Sequence, residues 1–418
     1  MSEPPSVDAT NPESFRERLA KVRVPQPDGG RPSPIWELLA EAHHALAAAP
    51  GQSDEARFRA VSGAAAASYY LYLIDPANRG RDSIPPEFAH MAMAPDTLLK
   101  EAAGVADGIN VAWWKARARA TLALARHKLA RNRWQDDQRP ALANEIEQAL
   151  SDLRAAPPPQ EDAPATANRI AAAAENAWAC EQAHVLRYQG KGVDAKAAYD
   201  KAIPGEWFPE NDTYRRAIGY HYLASIPCEW LVLHMLVFRA LPQATRHVAA
   251  DSAKEMLDFM ERGLAHCETA GYWILAAHHR KHAAACHAIL SMDDRLSEEK
   301  QREHGERASD ELRRAMETFR LLGLIKPLFI SELFQILIDG LARSAEETAN
   351  HLLSLAKRCG DYYPRVTFDA YVFARILARA LDEPSELVEQ CHQAIIELRG
   401  NALHDLQREE LLDNVLAA

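Results

Sequence analysis

Four Glu-x-x-His pairs punctuate the chain, at Glu41/His44, Glu87/His90, Glu181/His184 and Glu389/His392. On a helix this spacing sets carboxylate and imidazole on one face, and two such pairs with two further carboxylates build the di-iron centre of some helical bundles. A second cluster, His278, His279, His282, Cys286 and His287, follows Gly271. His278, His282 and Cys286 recur every four residues, so one helix face offers two imidazoles and a thiol to a soft ion such as zinc. A structural zinc takes four ligands, and only His266 and Cys267 lie near in sequence to complete the set. Surface acid–base pairs and partly exposed histidines on a packed helix are the competing explanations, and the sequence assigns no metal and no cofactor.

The spacing Arg216-x4-His221 resembles the Arg-x(4–6)-His pattern of the helical HEPN ribonucleases. That resemblance implies His221 as general acid or base and Arg216 as the cation that stabilises the phosphate. Ala217 stands where a polar residue often follows the arginine, a departure from the pattern. Phosphate-cradling glycine loops, nucleophile elbows and His-Glu-x-x-His zinc motifs are missing. A helical enzyme, nuclease or metal-dependent oxidase, is therefore the alternative, and a non-catalytic role is the first expectation.

The helix WWKARARATLALARHKLARNRW, residues 113–134, concentrates positive charge. At about 100° per residue, Lys115, Arg119, Arg126 and Arg133 fall within about 40° of one another, a stripe fit for an acidic peptide or nucleic acid. Pairing with the chain's own carboxylates, Asp136, Asp137 and Glu145 among them, is the competing explanation.

The elements that must position these residues are helices. Apolar residues recur three and four apart, alanine fills the gaps, and no stretch alternates with period two. The pattern predicts helices over 34–49, 54–75, 95–106, 109–132, 138–154, 165–189, 191–203, 210–224, 227–240, 243–269, 271–291, 296–322, 326–340, 344–358, 365–380, 384–398 and 402–416. Capping boxes are expected at Ser14/Glu17, Ser252/Glu255 and Ser344/Glu347. Residues 1–33, rich in Pro and Gly, are expected to form a flexible arm with a short helix near 14–22. The prolines of 155–165 mark a linker between a helical domain at 34–154 and a second at 166–418.

A net charge of −11 argues against a general nucleic-acid or anionic-membrane binder. Six widely spaced cysteines read as free thiols of a reducing compartment. The acidic start lacks a secretion signal, and the apolar stretch around 230–238 falls short of the roughly 20 residues that span a bilayer. A cytoplasmic protein without membrane contact is expected.

Within this all-α pattern, NAWACEQAHVLRYQGKGVDAKAAYDKAIPGEWFP, residues 176–209, resembles a tetratricopeptide repeat. Gly190 falls on the inter-helix glycine, Ala183 on the small position of the first helix, and Ala195, Tyr199 and Ala202 on the small, aromatic and small positions of the second. The first helix departs from the pattern, with Ala179 and Gln182 at its tryptophan and leucine positions, and the closing proline is displaced to Pro204 or Pro209. The resemblance implies an α-α hairpin superhelix, densest over 166–418, that binds a partner protein or peptide. It names no partner and no oligomeric state.

Overall fold

A computed structural model describes residues 12–24, 34–74, 88, 94–135, 137–159, 164–188, 192–202, 214, 216–221, 243–379 and 385–399. Among these residues every regular element is helical and no strand occurs. The expected helices at 227–240 and 402–416 lie outside the described residues, and so do Gly190, Glu87 and His90. None of the described helices is long and apolar enough to cross a membrane.

Cα packing divides the chain into two compact units. The first comprises residues 1–131, 135–181 and 321–324. It contains α1 (Pro12–Ala20), α2 (Pro34–Ala48), α3 (Asp54–Ile74), α4 (Pro95–Asp107), most of α5 (Ala112–Asn132), α6 (Arg139–Ala155) and the first two-thirds of α7 (Pro164–Tyr188). α1 is no loose arm. Phe15 and Leu19 are buried, α1 packs on α3, and Arg18 grips Glu41 with both guanidinium nitrogens. Burial of two large apolar side chains offsets the ordering entropy that the polar flanks cannot. α3 is buried on nearly all sides because alanines 64–67 let its neighbours approach closely. Its first turn also starts α5: Asp54 Oδ2 accepts from the backbone N–H groups of Asn110 (3.0 Å) and Val111 (2.7 Å). Ala120, Ala123, Leu124, Ile146, Ala149, Leu150 and Trp178 close a core among α5, α6 and α7.

The proline-rich stretch ends α6 at Ala155, but the first unit continues past it into α7. Pro164 is itself the first residue of α7, a position where the missing N–H costs nothing.

The second unit comprises residues 132–134, 182–320 and 325–418. Its elements are the end of α7, α8 (Gly192–Ala202), a helical segment at 216–221, α9 (Gln243–Ala270), α10 (Trp273–Leu290), α11 (Glu298–Leu321), α12 (Ile325–Gly340), α13 (Ala345–Cys359), α14 (Pro364–Arg379) and α15 (Ser385–Arg399). α9 and α10 form a tight hairpin. Gly271, at φ +76°, takes the left-handed position after α9, and the Tyr272 N–H reaches back to the Cys267 carbonyl at 2.8 Å. Arg280 on α10 ties the layer together, bonding Glu268 of α9 and Glu311 of α11.

Of the three expected capping boxes, Ser344/Glu347 forms reciprocally at the start of α13. Ser252 falls inside α9, where the backbone donors are already satisfied by the helix, and the side chain of Ser14 lies outside the described residues.

Candidate functional site

Among the described residues, the densest collection of chemically capable side chains lies on α10 in the second unit. Its small residues, Ala276, Ala277, Ala283, Ala284, Ala285 and Ala288, are all buried and admit neighbouring helices closely. The imidazoles fill what remains. His278 packs on Phe319 (ring centroids 4.9 Å apart), His282 faces Phe334 (6.5 Å), and His279 presses onto α9 at Gly263.

His221, from the segment at 216–221, completes the group. Its ring centroid lies 4.9 Å from that of His278 and 5.9 Å from that of His282, with the latter two planes within 8° of parallel. The sequence pointed to His278 and His282 together, and to His221 separately as a nuclease residue. No periodicity links His221 to α10; only packing brings it there.

Burial, reinforced by the neighbouring His221 and Lys281, holds the His278 and His282 pKa values well below the ordinary histidine range. Burial does the same for His279, lowering it to about 4. All three rings are therefore neutral at physiological pH. The Nδ1 atoms of His278, His279 and His282 have no hydrogen-bond partner among the described residues. A buried polar group left so costs roughly 1–3 kcal/mol, and such groups call for a specific explanation. Cys286, the third residue of the predicted set, is fully buried one turn beyond His282.

Among the described residues, the one group of three ligand atoms already within 4.8 Å of one another is elsewhere in this unit, at His247, Asp293 and Asp294. His247 Nε2 bonds Asp294 Oδ1 at 2.7 Å, while Arg295 holds Asp293 through Nε (2.8 Å) and Nη2 (2.9 Å). Arg295 already neutralises the negative charge that Asp293 would offer a cation.

Arg216 and His221 do not converge. Five residues along a helix turn by about 140°, and the Arg216 guanidinium lies over the Tyr220 ring at 6.0 Å while His221 meets His278. Within the Glu-x-x-His pairs, Glu41 and Glu181 bind other side chains. Glu41 is held by Arg18, and Glu389 is exposed. The side chain of His392 lies outside the described residues.

Glu181 is fully buried in the first unit, where it accepts from His127 Nδ1 at 3.0 Å and Arg131 Nε at 2.6 Å. Burial pushes its pKa up, but the Arg131 charge and these two hydrogen bonds outweigh that and hold it at about 2. This buried network was illegible in sequence, because its members stand 50 and 54 residues apart. Nearby Cys180 has its thiol pushed up to about 12 by burial, as does Cys267 in the second unit, so neither supplies a thiolate.

The basic stripe of α5 is narrower than expected. Arg119 lies 3.7 Å from Asp107 and Arg126 lies 3.7 Å from Glu145, with side chains 52% and 36% exposed. Lys115 donates to the Asp107 carbonyl at 2.9 Å. Arg133 lies beyond the last residue of α5, in the turn where Trp134 adopts φ +56°, so helical periodicity does not carry it onto the stripe. Other basic residues of α5 are structural: Arg117 stacks over Phe58 at 4.3 Å, and Arg131 serves Glu181.

Ala183, Ala195, Tyr199 and Ala202, the small and aromatic positions of the repeat-like stretch, are all buried. Tyr199 on α8 meets His184 on α7 edge to face, with centroids 5.4 Å apart. No protein-family model, no curated protein and no solved structure matches the chain.

Proposed function

We propose that this chain is a non-catalytic interaction module, an array of α-helical hairpins of tetratricopeptide type that binds a partner protein or peptide. The observation that carries the reading is the order of packing within each unit. Helices pack on their next and next-but-one neighbours: α2 on α3 and α4, α12 on α13 and α14, α14 on α15. Sequential packing of this kind is the logic of a helical-repeat array, whose extended faces serve as binding surfaces.

Arg119 and Arg126 are the recognition residues of this proposal, and an acidic segment is the partner chemistry. Their contacts to Asp107 and Glu145 are longer than hydrogen bonds, and exposed pairs of that kind contribute only about 0–1 kcal/mol. Their charge is therefore left to attract a ligand in a chain of net charge −11.

The test is the double variant R119E/R126E, measured for binding of a poly-glutamate peptide and for melting. Weaker binding with a nearly unchanged melting temperature supports the proposal. Lower stability with the same peptide affinity, or no affinity in the unaltered protein, overturns it.

A further inference from the structure

We propose that His221, His278 and His282 form a binding site for one divalent transition-metal ion, zinc foremost, inside the second unit. His278 and His282 stand four apart on α10, the spacing with which two histidines on one helix share a zinc. His221 approaches the same face from a different segment, so rings from two elements meet there.

The distances fit. A zinc–nitrogen bond of about 2.0–2.1 Å sets each ring centroid about 3.2 Å from the metal, and tetrahedral angles then separate centroids by about 5.2 Å. The observed separations from His221, 4.9 and 5.9 Å, lie on either side of that value. Ring rotation is what remains, since the three sets of nitrogens are not already within 4.8 Å of one another.

The chemistry fits as well. Metal ligation requires neutral imidazole. His282 is 4% exposed, and its Nδ1 and that of His278 have no hydrogen-bond partner among the described residues. Phe319 and Phe334 wall the cluster with apolar surface. Imidazole ligands favour zinc, copper, cobalt and nickel over magnesium or calcium, which seek oxygen. Lys281, 5% exposed with its ammonium over the Phe334 ring, opposes a cation here. Removing its charge therefore tightens binding.

The experiment uses the full-length protein stripped by chelator and titrated with cobalt(II), followed by visible absorption, then with zinc. One equivalent of cobalt with the intense bands of a four-coordinate ion, bleached by zinc, is the expected result. X-ray absorption of the zinc form then shows a nitrogen shell with scattering from three imidazoles. His221→Ala and His282→Ala each weaken cobalt binding by roughly tenfold or more. Lys281→Met strengthens it, and His247→Ala, at the Arg295-held group, leaves it unchanged. Absence of cobalt bands in the unaltered protein overturns the proposal. So does an oxygen-dominated shell, or loss of binding with His247→Ala in place of His282→Ala. The absorption measurement needs no substitution, so it decides for or against the site even where an alanine variant fails to fold.

Discussion

Arg131 clasps Glu181 with two parallel hydrogen bonds, Nε to Oε1 at 2.6 Å and Nη2 to Oε2 at 3.1 Å, in the interior of the first unit. Both residues are buried, Glu181 completely. The planar fork matches the carboxylate, and His127 accounts for a further bond to the same oxygen as Nε.

The pH dependence follows from that clasp. Glu181 sits at about 2 in the folded chain against an ordinary 4.5, so its depressed pKa stabilises the fold above the unfolded value. That contribution, about 3 kcal/mol, is lost as pH falls from about 4.5 to 2. Acid melting curves are expected to steepen in this window for the unaltered chain and to flatten for Glu181→Gln. Equal slopes in the two proteins would show that Glu181 is not held this way. Arg131→Ala leaves the carboxylate buried without its partner and is expected to cost about 3–5 kcal/mol in denaturant unfolding.

His279 occupies the space that a side chain at position 263 would need. A Cβ built on Gly263 lies 2.6 Å from His279 Cε1 and 3.0 Å from both ring nitrogens. Gly263→Ala is expected to destabilise by about 1–3 kcal/mol through overpacking of the α9–α10 hairpin. The double variant Gly263→Ala/His279→Ala recovers part of that loss, a coupling that a double-mutant cycle measures directly. Simple additivity in the cycle would place the ring elsewhere.

Tyr199 tests the α7–α8 hairpin. Its ring is fully buried with its face or edge against His184, so Tyr199→Ala is expected to cost about 3–5 kcal/mol. Tyr199→Phe keeps the ring and is expected to cost much less. Matching losses in the two variants would mean that the hydroxyl, and not the ring, matters.

Helix content and helix spacing were legible in the sequence. α2, α3, α6, α9 and α12 to α15 begin and end within a few residues of where apolar periodicity, proline and glycine put them. The signals there are local: a Ser344/Glu347 box or a Gly271 cap acts on the backbone within a few residues. Ser252 misled because the same box carries no information about whether a helix has already begun. α1 lies near the short helix expected at 14–22, but its docking on α3 through Phe15 and Leu19 is a tertiary contact that polar composition does not show.

Which chemical groups exist, and on which helix faces, the sequence determined by itself: a four-residue step aligns His278 with His282 whatever surrounds them. Which groups meet was decided by tertiary packing alone. His221 joins His278 and His282 from 57 or more residues away, and Arg131 reaches Glu181 across 50. Arg119 and Arg126 keep partial exposure while Arg117 and Arg131, on the same helix, are consumed by aromatic rings and a buried carboxylate. The reason is physical: helical periodicity fixes angles within an element, whereas contacts between elements depend on how closely buried alanines and glycines let their backbones approach.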